Sequence, residues 1–232
     1  MKKLKSLFLF AASLMLILST SCNSSSDEPQ TTNQTQTESG SYWPSKINNV
    51  WNYSTNGGLQ QPTKIISNSD GYFQFGNYLG SNNSTSAQAQ VSLKYVGGSY
   101  FIKYGTINIS ANGFTGTQTG FEVIILKDNV PVGTVWNSDY SQTTTYATLT
   151  TTIPSSTVFK GTILGKDISL VVGTTTYNDV IHVKINQTVS SAGTISSAVS
   201  DYWFSKNVGL IKYINITGNV TYTNLLTSYT LF

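Results

Sequence analysis

Glu122 lies in Phe121-Glu122-Val123-Ile124-Ile125-Leu126, a run that is apolar on both of its faces. Such a setting raises a carboxyl pKa toward the range of a general acid. Glu28 and Glu38 fall in a polar N-terminal stretch, so Glu122 is the sole glutamate of the region that can fold. Cleaving a glycosidic bond needs a second carboxylate about 5–9 Å away. Asp128, Asp139 and Asp201 are the candidates, and no spacing brings any of them to Glu122. A glycan-active enzyme built on Glu122 is therefore the alternative, and the expectation is a protein that is not an enzyme, with no catalytic residue assigned.

Other chemistries have fewer parts. His182 is the single histidine, beside Lys184 on the polar parity of a strand, and no Gly-x-Ser-x-Gly elbow accompanies it. Zinc would want clustered His and Cys ligands, and the sequence holds one of each. Asp128-Asn129 and Asn68-Ser69-Asp70-Gly71 carry oxygen ligands at the density of turns, below that of a calcium loop. No metal and no cofactor are expected. Aromatic side chains are the last resource. Trp43, Trp51, Trp136 and Trp203, with fourteen tyrosines, suit either core packing or a platform for a sugar or an apolar guest. Trp51, Trp136, Trp203 and Glu122 are the candidate ligand contacts.

The elements that must position these residues are strands. Helical periodicity is absent, and period-two runs bounded by Gly, Asn, Asp and Ser recur. Val91, Leu93 and Tyr95 alternate with Ser92 and Lys94; Ile181, Val183 and Ile185 alternate with His182 and Lys184; Ala147, Leu149 and Ile153 sit among threonines. Asn56-Gly57-Gly58, Asp70-Gly71, Gly97-Gly98 and Asn112-Gly113 offer the positive-φ residues that tight hairpins require. The apolar parity changes between Tyr104 and Ile107, which predicts a β-bulge at Gly105-Thr106. The expectation is an all-β fold: one antiparallel domain over residues 42–232, of nine to twelve strands, as a curved sheet, open barrel or sandwich.

What precedes it reads as an address. Met1-Lys2-Lys3-Leu4-Lys5 is a basic start, an apolar stretch runs from Leu7 to Leu18, and small residues precede Cys22, the layout of a secretory signal over residues 1–21. The apolar stretch is shorter than the ~20 residues a bilayer-spanning helix needs. Residues 22–41 are almost wholly Ser, Thr, Asn, Gln and acid, a tether too polar to offset its own ordering entropy. Its ~19 residues give a mean span of about 25 Å. Once Lys2, Lys3 and Lys5 leave with the signal, ten lysines face ten acids, with no arginine. That balance argues against nucleic acid as a partner.

Two resemblances add to this. Leu18-Ser19-Thr20-Ser21-Cys22 resembles a bacterial lipobox with its leucine one position farther out than usual. It implies cleavage after Ser21 and a diacylglyceryl thioether on Cys22, hence a lipid-anchored protein whose first partner is the membrane. Ser24-Ser25-Ser26-Asp27-Glu28 resembles the export signal of surface lipoproteins of Bacteroidota, implying the outer membrane and, of its two sides, the cell surface. Within the folded part, Trp43-Pro44-Ser45-Lys46-Ile47-Asn48-Asn49-Val50-Trp51-Asn52-Tyr53, the stretch from Val130-Pro131 to Trp136, and Tyr202-Trp203 through Val208-Gly209-Leu210-Ile211-Lys212 resemble the motifs of small flavobacterial-type outer-membrane lipoproteins of Bacteroidota. That family implies a mostly antiparallel β domain without an assigned activity. The function expected is a non-catalytic envelope module for an unidentified protein, glycan or lipid, with a carrier that shelters an apolar guest in a curved sheet as the alternative.

Overall fold

The computed structural model describes residues 41–79, 87–111, 114–147 and 152–232. The signal sequence, Cys22, most of the tether, Asn112-Gly113 and Leu149 lie outside these residues. Among the described residues the chain is all-β. Its strands are β1 (Val50–Thr55), β2 (Gly58–Leu59), β3 (Thr63–Ser69), β4 (Tyr72–Phe75), β5 (Ala87–Gln88), β6 (Val91–Val96), β7 (Ser99–Tyr104), β8 (Ile107–Ala111) and β9 (Phe114–Gln118). There follow β10 (Phe121–Lys127), β11 (Val135–Asn137), β12 (Tyr140–Tyr146), β13 (Ile153–Val172), β14 (Thr175–Ser191), β15 (Thr194–Ser205), β16 (Gly209–Thr217) and β17 (Val220–Thr230). The seventeen strands among the described residues exceed the nine to twelve expected, in part because β2, β5 and β11 are two- or three-residue pieces that carry no period of their own.

Every pairing is antiparallel, and together they make one large sheet. From β3 one arm runs β3–β1–β17–β16–β15–β14–β13, then through β12, β9 and β8 to β5. The other arm runs β3–β4–β6–β7–β10. β3 turns the corner. Its Thr63 and Lys64 pair with β1, a register shift follows Ile65, and its remaining residues pair with β4. The arms curl toward each other without closing into a barrel. At the seam, the free edge of β10 is met by side chains instead of a ladder: the Trp136 indole N–H donates to the Ile124 carbonyl at 2.9 Å, and the Ile124 N–H donates to Ser138 Oγ at 3.0 Å. Trp136 can lie there because Gly161 is beneath it; a Cβ at that position would stand 2.2 Å from the indole ring.

The core lies between the arms. Ile65, Leu93, Ile102 and Leu126 from one arm meet Ile163, Val180, Ile181, Val183, Phe204 and Ile211 from the other, all with essentially no exposed surface. Each such side chain contributes about 1.5–3 kcal/mol by leaving water. A smaller cluster, Ile107, Ile109 and Tyr146, closes the β8–β9–β12 end. Turn chemistry follows the sequence at Asp70-Gly71, whose φ values of 54° and 78° join β3 to β4. It does so also at Ala192-Gly193, with 49° and 77°, where an alanine takes the place the usual Asn or Asp would fill. The parity change after Tyr104 is a change of partner, and no bulge forms there. β7 pairs with β6 and β10, the chain leaves that arm at Gly105-Thr106, and β8 starts a new ladder with β9.

The N-terminal entry to the domain is pinned. Tyr100 is buried, and its hydroxyl accepts from the Tyr42 N–H at 2.9 Å and donates to Asp128 Oδ2 at 3.0 Å. The Asn207 N–H donates to the Ser41 carbonyl at 2.8 Å, and Trp43 is wholly enclosed by Phe75, Tyr78 and Phe204.

Candidate functional site: the inner face of the curled sheet

Strand parity decides what faces inward. On β15, Ser196, Ala198, Ser200, Tyr202 and Phe204 share one face; opposite them stand Tyr213 and Asn215 of β16 and Ile185, Val183 and Ile181 of β14. On β12 and β13 the inward set is Tyr140, Gln142 and Thr144 with Ser155, Thr157, Phe159, Gly161 and Ile163. Lys94, Lys103, Glu122, Lys184, Asp201 and Lys212 all fall on the other parity. Among the described residues of these strands, the inner face carries rings, amides and hydroxyls, with its charges outside.

The rings form two walls. In one, Tyr78 meets Tyr104 edge-on at 6.2 Å, Tyr104 stacks on Phe121 at 4.7 Å, and Phe121 stacks on Tyr140 at 4.2 Å with planes 5° apart. In the other, Tyr202 lies 4.6 Å from Tyr213 and 6.0 Å from Phe204. The phenols of the two walls feel each other. Burial pushes Tyr104 far above its ordinary value, and Tyr213 and Tyr140 add to the shift. Burial likewise raises Tyr202, with contributions from Tyr213, Tyr78 and Tyr104. Burial raises Tyr140 to about 12, against hydrogen bonds that pull it down. Yet Tyr104, Phe121, Tyr140, Tyr202 and Tyr213 each keep part of their surface accessible. These rings line the concave inner face of the curled sheet, between arms that do not close on each other.

Polar groups share this inner face. Gln187 Nε2 donates to the Tyr140 hydroxyl at 3.0 Å, Asn215 Nδ2 to Ser200 Oγ at 2.8 Å, and the Thr217 hydroxyl to Asn215 Oδ1 at 3.1 Å. Gln142 Nε2 donates to the Thr119 carbonyl at 2.5 Å, and Gln118 Nε2 to Thr144 Oγ1 at 3.1 Å.

The residues singled out from the sequence are dispersed. Trp51 is fully buried, its indole N–H donating to the Val208 carbonyl at 2.6 Å. Trp136 is buried at the seam. Trp203 is half-buried on the outer face, stacked 4.3 Å from His182 with the Lys212 ammonium 4.7 Å from its ring. His182 Nε2 lies 2.7 Å from Asp201 Oδ1, so this aspartate serves the histidine. Asp139 accepts from the Phe159 N–H at 2.9 Å and Asp128 accepts from Tyr100, so each carboxylate weighed as a partner for Glu122 is engaged elsewhere. Glu122 itself accepts from the Tyr72 hydroxyl at 2.5 Å on the outer face, with Lys94 and Lys103 over the Tyr72 ring. That hydrogen bond is the leading cause that pushes the Tyr72 phenol to about 12. Glu122→Gln is therefore expected to bring Tyr72 back toward 10, read as one tyrosine ionising earlier in a 295 nm titration; an unmoved titration would mean the bond is not formed in solution.

No family model and no curated protein matches the sequence. A search of solved structures finds similarity to a crystal structure of a Parabacteroides distasonis protein named as a lipoprotein, at 12% identity and a TM-score of 0.46, covering 82% of this chain and 98% of that one.

Proposed function

We propose that this chain is a lipid-anchored lipoprotein of the bacterial outer membrane, displayed at the cell surface, whose β domain binds a ligand in the hollow of its curled sheet. The anchor rests on the sequence: signal, small residues and Cys22 in lipobox order. Two or three acyl chains hold firmly, since each buried methylene contributes about 0.8 kcal/mol. The observation that carries the binding function is the set of partly accessible rings on the concave face, Tyr104, Phe121 and Tyr140 with Tyr202 and Tyr213, on strands whose charged groups fall on the opposite parity among the described residues. Concave sites of this kind, apolar and aromatic with a few converging polar groups, are where proteins hold small molecules. The neutral amides and hydroxyls beside these rings support a binding role, since proton transfer would want a titratable group near neutral pH.

Native mass spectrometry of the protein recovered from its own membrane tests both halves. A diacylglyceryl mass on Cys22 and a non-covalent adduct are expected, the adduct being lost from a Tyr140→Ala, Tyr213→Ala variant. A bare chain with no adduct sinks the binding reading. Cys22→Ala is expected to move nearly all of the protein from the membrane to the soluble fraction. Retention of that variant in membranes would sink the anchor.

A further inference from the structure

The near balance of charge in the mature chain hides a division. Residues 42–232 hold ten lysines against seven acids, while Asp27, Glu28 and Glu38 put three acids and no lysine into the tether. On the large arm the lysines gather on one surface. Lys160, Lys184 and Lys212 stand on the outer face of β13, β14 and β16, and Asp201, paired with Lys184, is the one acid on the rows between them. Apolar groups are set among the lysines: Trp203 pairs with Lys212 across the β15–β16 ladder, and Ile216 stands one row on from Asp201. Although these strands run through the middle of the sheet, Lys160 and Ile216 are exposed and Lys184, Trp203 and Lys212 are half-buried, so among the described residues no layer of the domain covers this face.

The tether enters the domain at the end of this same face. The Asn207 N–H donates to the Ser41 carbonyl at 2.8 Å in the turn that joins β15 to β16, and the Trp203–Lys212 pair lies two ladder steps from that turn, about 7 Å along the strands. The root itself is acidic. Burial raises the Tyr42 phenol to about 12, and Asp167, Asp179 and Asp128 beside it add to the shift. A domain standing on its root would press those acids against an anionic membrane; one lying on β13–β16 would present three lysines. Resting on the lipid anchor proposed above, we infer that the outer face of β13–β16 docks on the anionic surface of the membrane that holds the anchor. Each lysine brought to such a surface favours docking about fivefold. Tryptophan settles at the headgroup level, with its ring in the apolar boundary. The anchor makes the contact intramolecular, so a contact too weak to recruit a free protein suffices. The outer face of the small arm is the poorer candidate, because its Lys94 and Lys103 are drawn onto the Tyr72 ring beside Glu122. With the core between the arms, the two outer faces point apart, and one alone can lie on a bilayer.

Lysine footprinting tests this on the full lipidated chain, in phosphatidylcholine vesicles with and without phosphatidylglycerol. A brief pulse of an acetylating reagent is read at each lysine by peptide mass spectrometry. Phosphatidylglycerol is expected to slow labelling of Lys184 and Lys212 about fivefold or more and to leave Lys94 and Lys103 unchanged. Salt at ~1 M, where the Debye length is about 3 Å, is expected to abolish the difference. A chain with Lys184→Gln and Lys212→Gln is expected to float with the vesicles as before and to lose the shielding of Lys160. Protein that floats with the vesicles but labels alike with and without phosphatidylglycerol overturns the docking and leaves the anchor standing. Shielding of Lys94 and Lys103 in place of Lys184 and Lys212 overturns the choice of face. Shielding that ignores phosphatidylglycerol and grows with protein density belongs to a second copy, and overturns the inference as well. Protein that does not float with either kind of vesicle overturns the anchor and the docking together.

Discussion

Trp51→Ala is expected to lower the melting temperature by more than ~10 °C and to leave little folded protein under mild denaturant. Trp51 has no exposed surface, and the cost of deleting a buried tryptophan is about 3–5 kcal/mol. A second loss follows, because the hydrogen bond from its N–H to the Val208 carbonyl at 2.6 Å goes with it, at about 0.5–1.5 kcal/mol. Domains of this kind are stable by only about 5–15 kcal/mol, so the sum is a large share. A domain of 150–250 residues shifts its melting point by about 2–4 °C for each kcal/mol. The position is unforgiving because the backbone comes close on the far side. Gly209 has φ 110°, and a Cβ there would stand 3.0 Å from Trp51 Nε1 and 3.4 Å from Trp43. Trp51→Phe keeps most of the bulk and loses the hydrogen bond, so an intermediate shift is expected. Thermal melts followed by circular dichroism decide the matter: a Trp51→Ala variant within ~2 °C of the parent would show that β1 does not depend on this contact. Trp51 was also a candidate ligand contact, and its burial separates the two roles. Trp51→Phe is expected to lose stability while binding in the hollow continues.

Why the sequence pointed to Trp51 and Val208-Gly209 without showing that they touch is a matter of range. Both sit in strand-starting motifs, and turn residues fix local geometry, so the hairpin from Asn207 into β16 and the entry at Asn48-Asn49 were readable. Their contact spans 157 residues and depends on β1 pairing with β17, which no local pattern encodes. The strands of the core were readable for the same local reason. Ile181, Val183 and Ile185 are buried while His182 and Lys184 are not, as a half-buried strand requires. The inner floor was illegible because its strands carry polar residues on both parities. In Tyr140-Ser141-Gln142-Thr143-Thr144-Thr145-Tyr146 nothing distinguishes the inward Gln142 and Thr144 from the outward Ser141 and Thr145. The usual inference, that polar means solvated, fails where the interior is itself polar. Glu122 shows the converse. Its apolar neighbours suggested a buried acid, but β10 turns that one residue outward, where a phenol and two lysines receive it.

The polar, ring-lined interior has a consequence that a conventional aliphatic core would not. Raising the pH past 10 is expected to unfold the domain cooperatively between about pH 11 and 12, with the tyrosines ionising together as it opens. Eleven of the fourteen tyrosines have phenols pushed above the ordinary 10, and in every case but Tyr72 burial is the largest cause. The sign follows from which form is favoured. Folding favours the neutral phenol, so below pH 10 both states are protonated and the full stability is present. Above pH 10 the unfolded chain releases protons that the folded one retains, and stability falls as pH climbs toward the folded values. By pH 11 each fully shielded phenol has cost about 1.4 kcal/mol, and the five most strongly raised by burial, Tyr53, Tyr78, Tyr104, Tyr140 and Tyr202, together about 7 kcal/mol. Even half of that, allowing for water that wets the exposed parts of three of these rings, is a large share of the ~5–15 kcal/mol by which a domain is stable. Absorbance at 295 nm and far-ultraviolet circular dichroism, recorded on the same samples, should therefore change at one midpoint. A gradual tyrosinate rise centred near pH 10 with the β signal intact would mean that the phenols are freely hydrated and the walls open. A ligand that sits between those walls binds only the folded state, so at a hundredfold excess over its dissociation constant it adds about 2.7 kcal/mol and moves the alkaline midpoint upward. A ligand that binds without moving that midpoint is not between those walls.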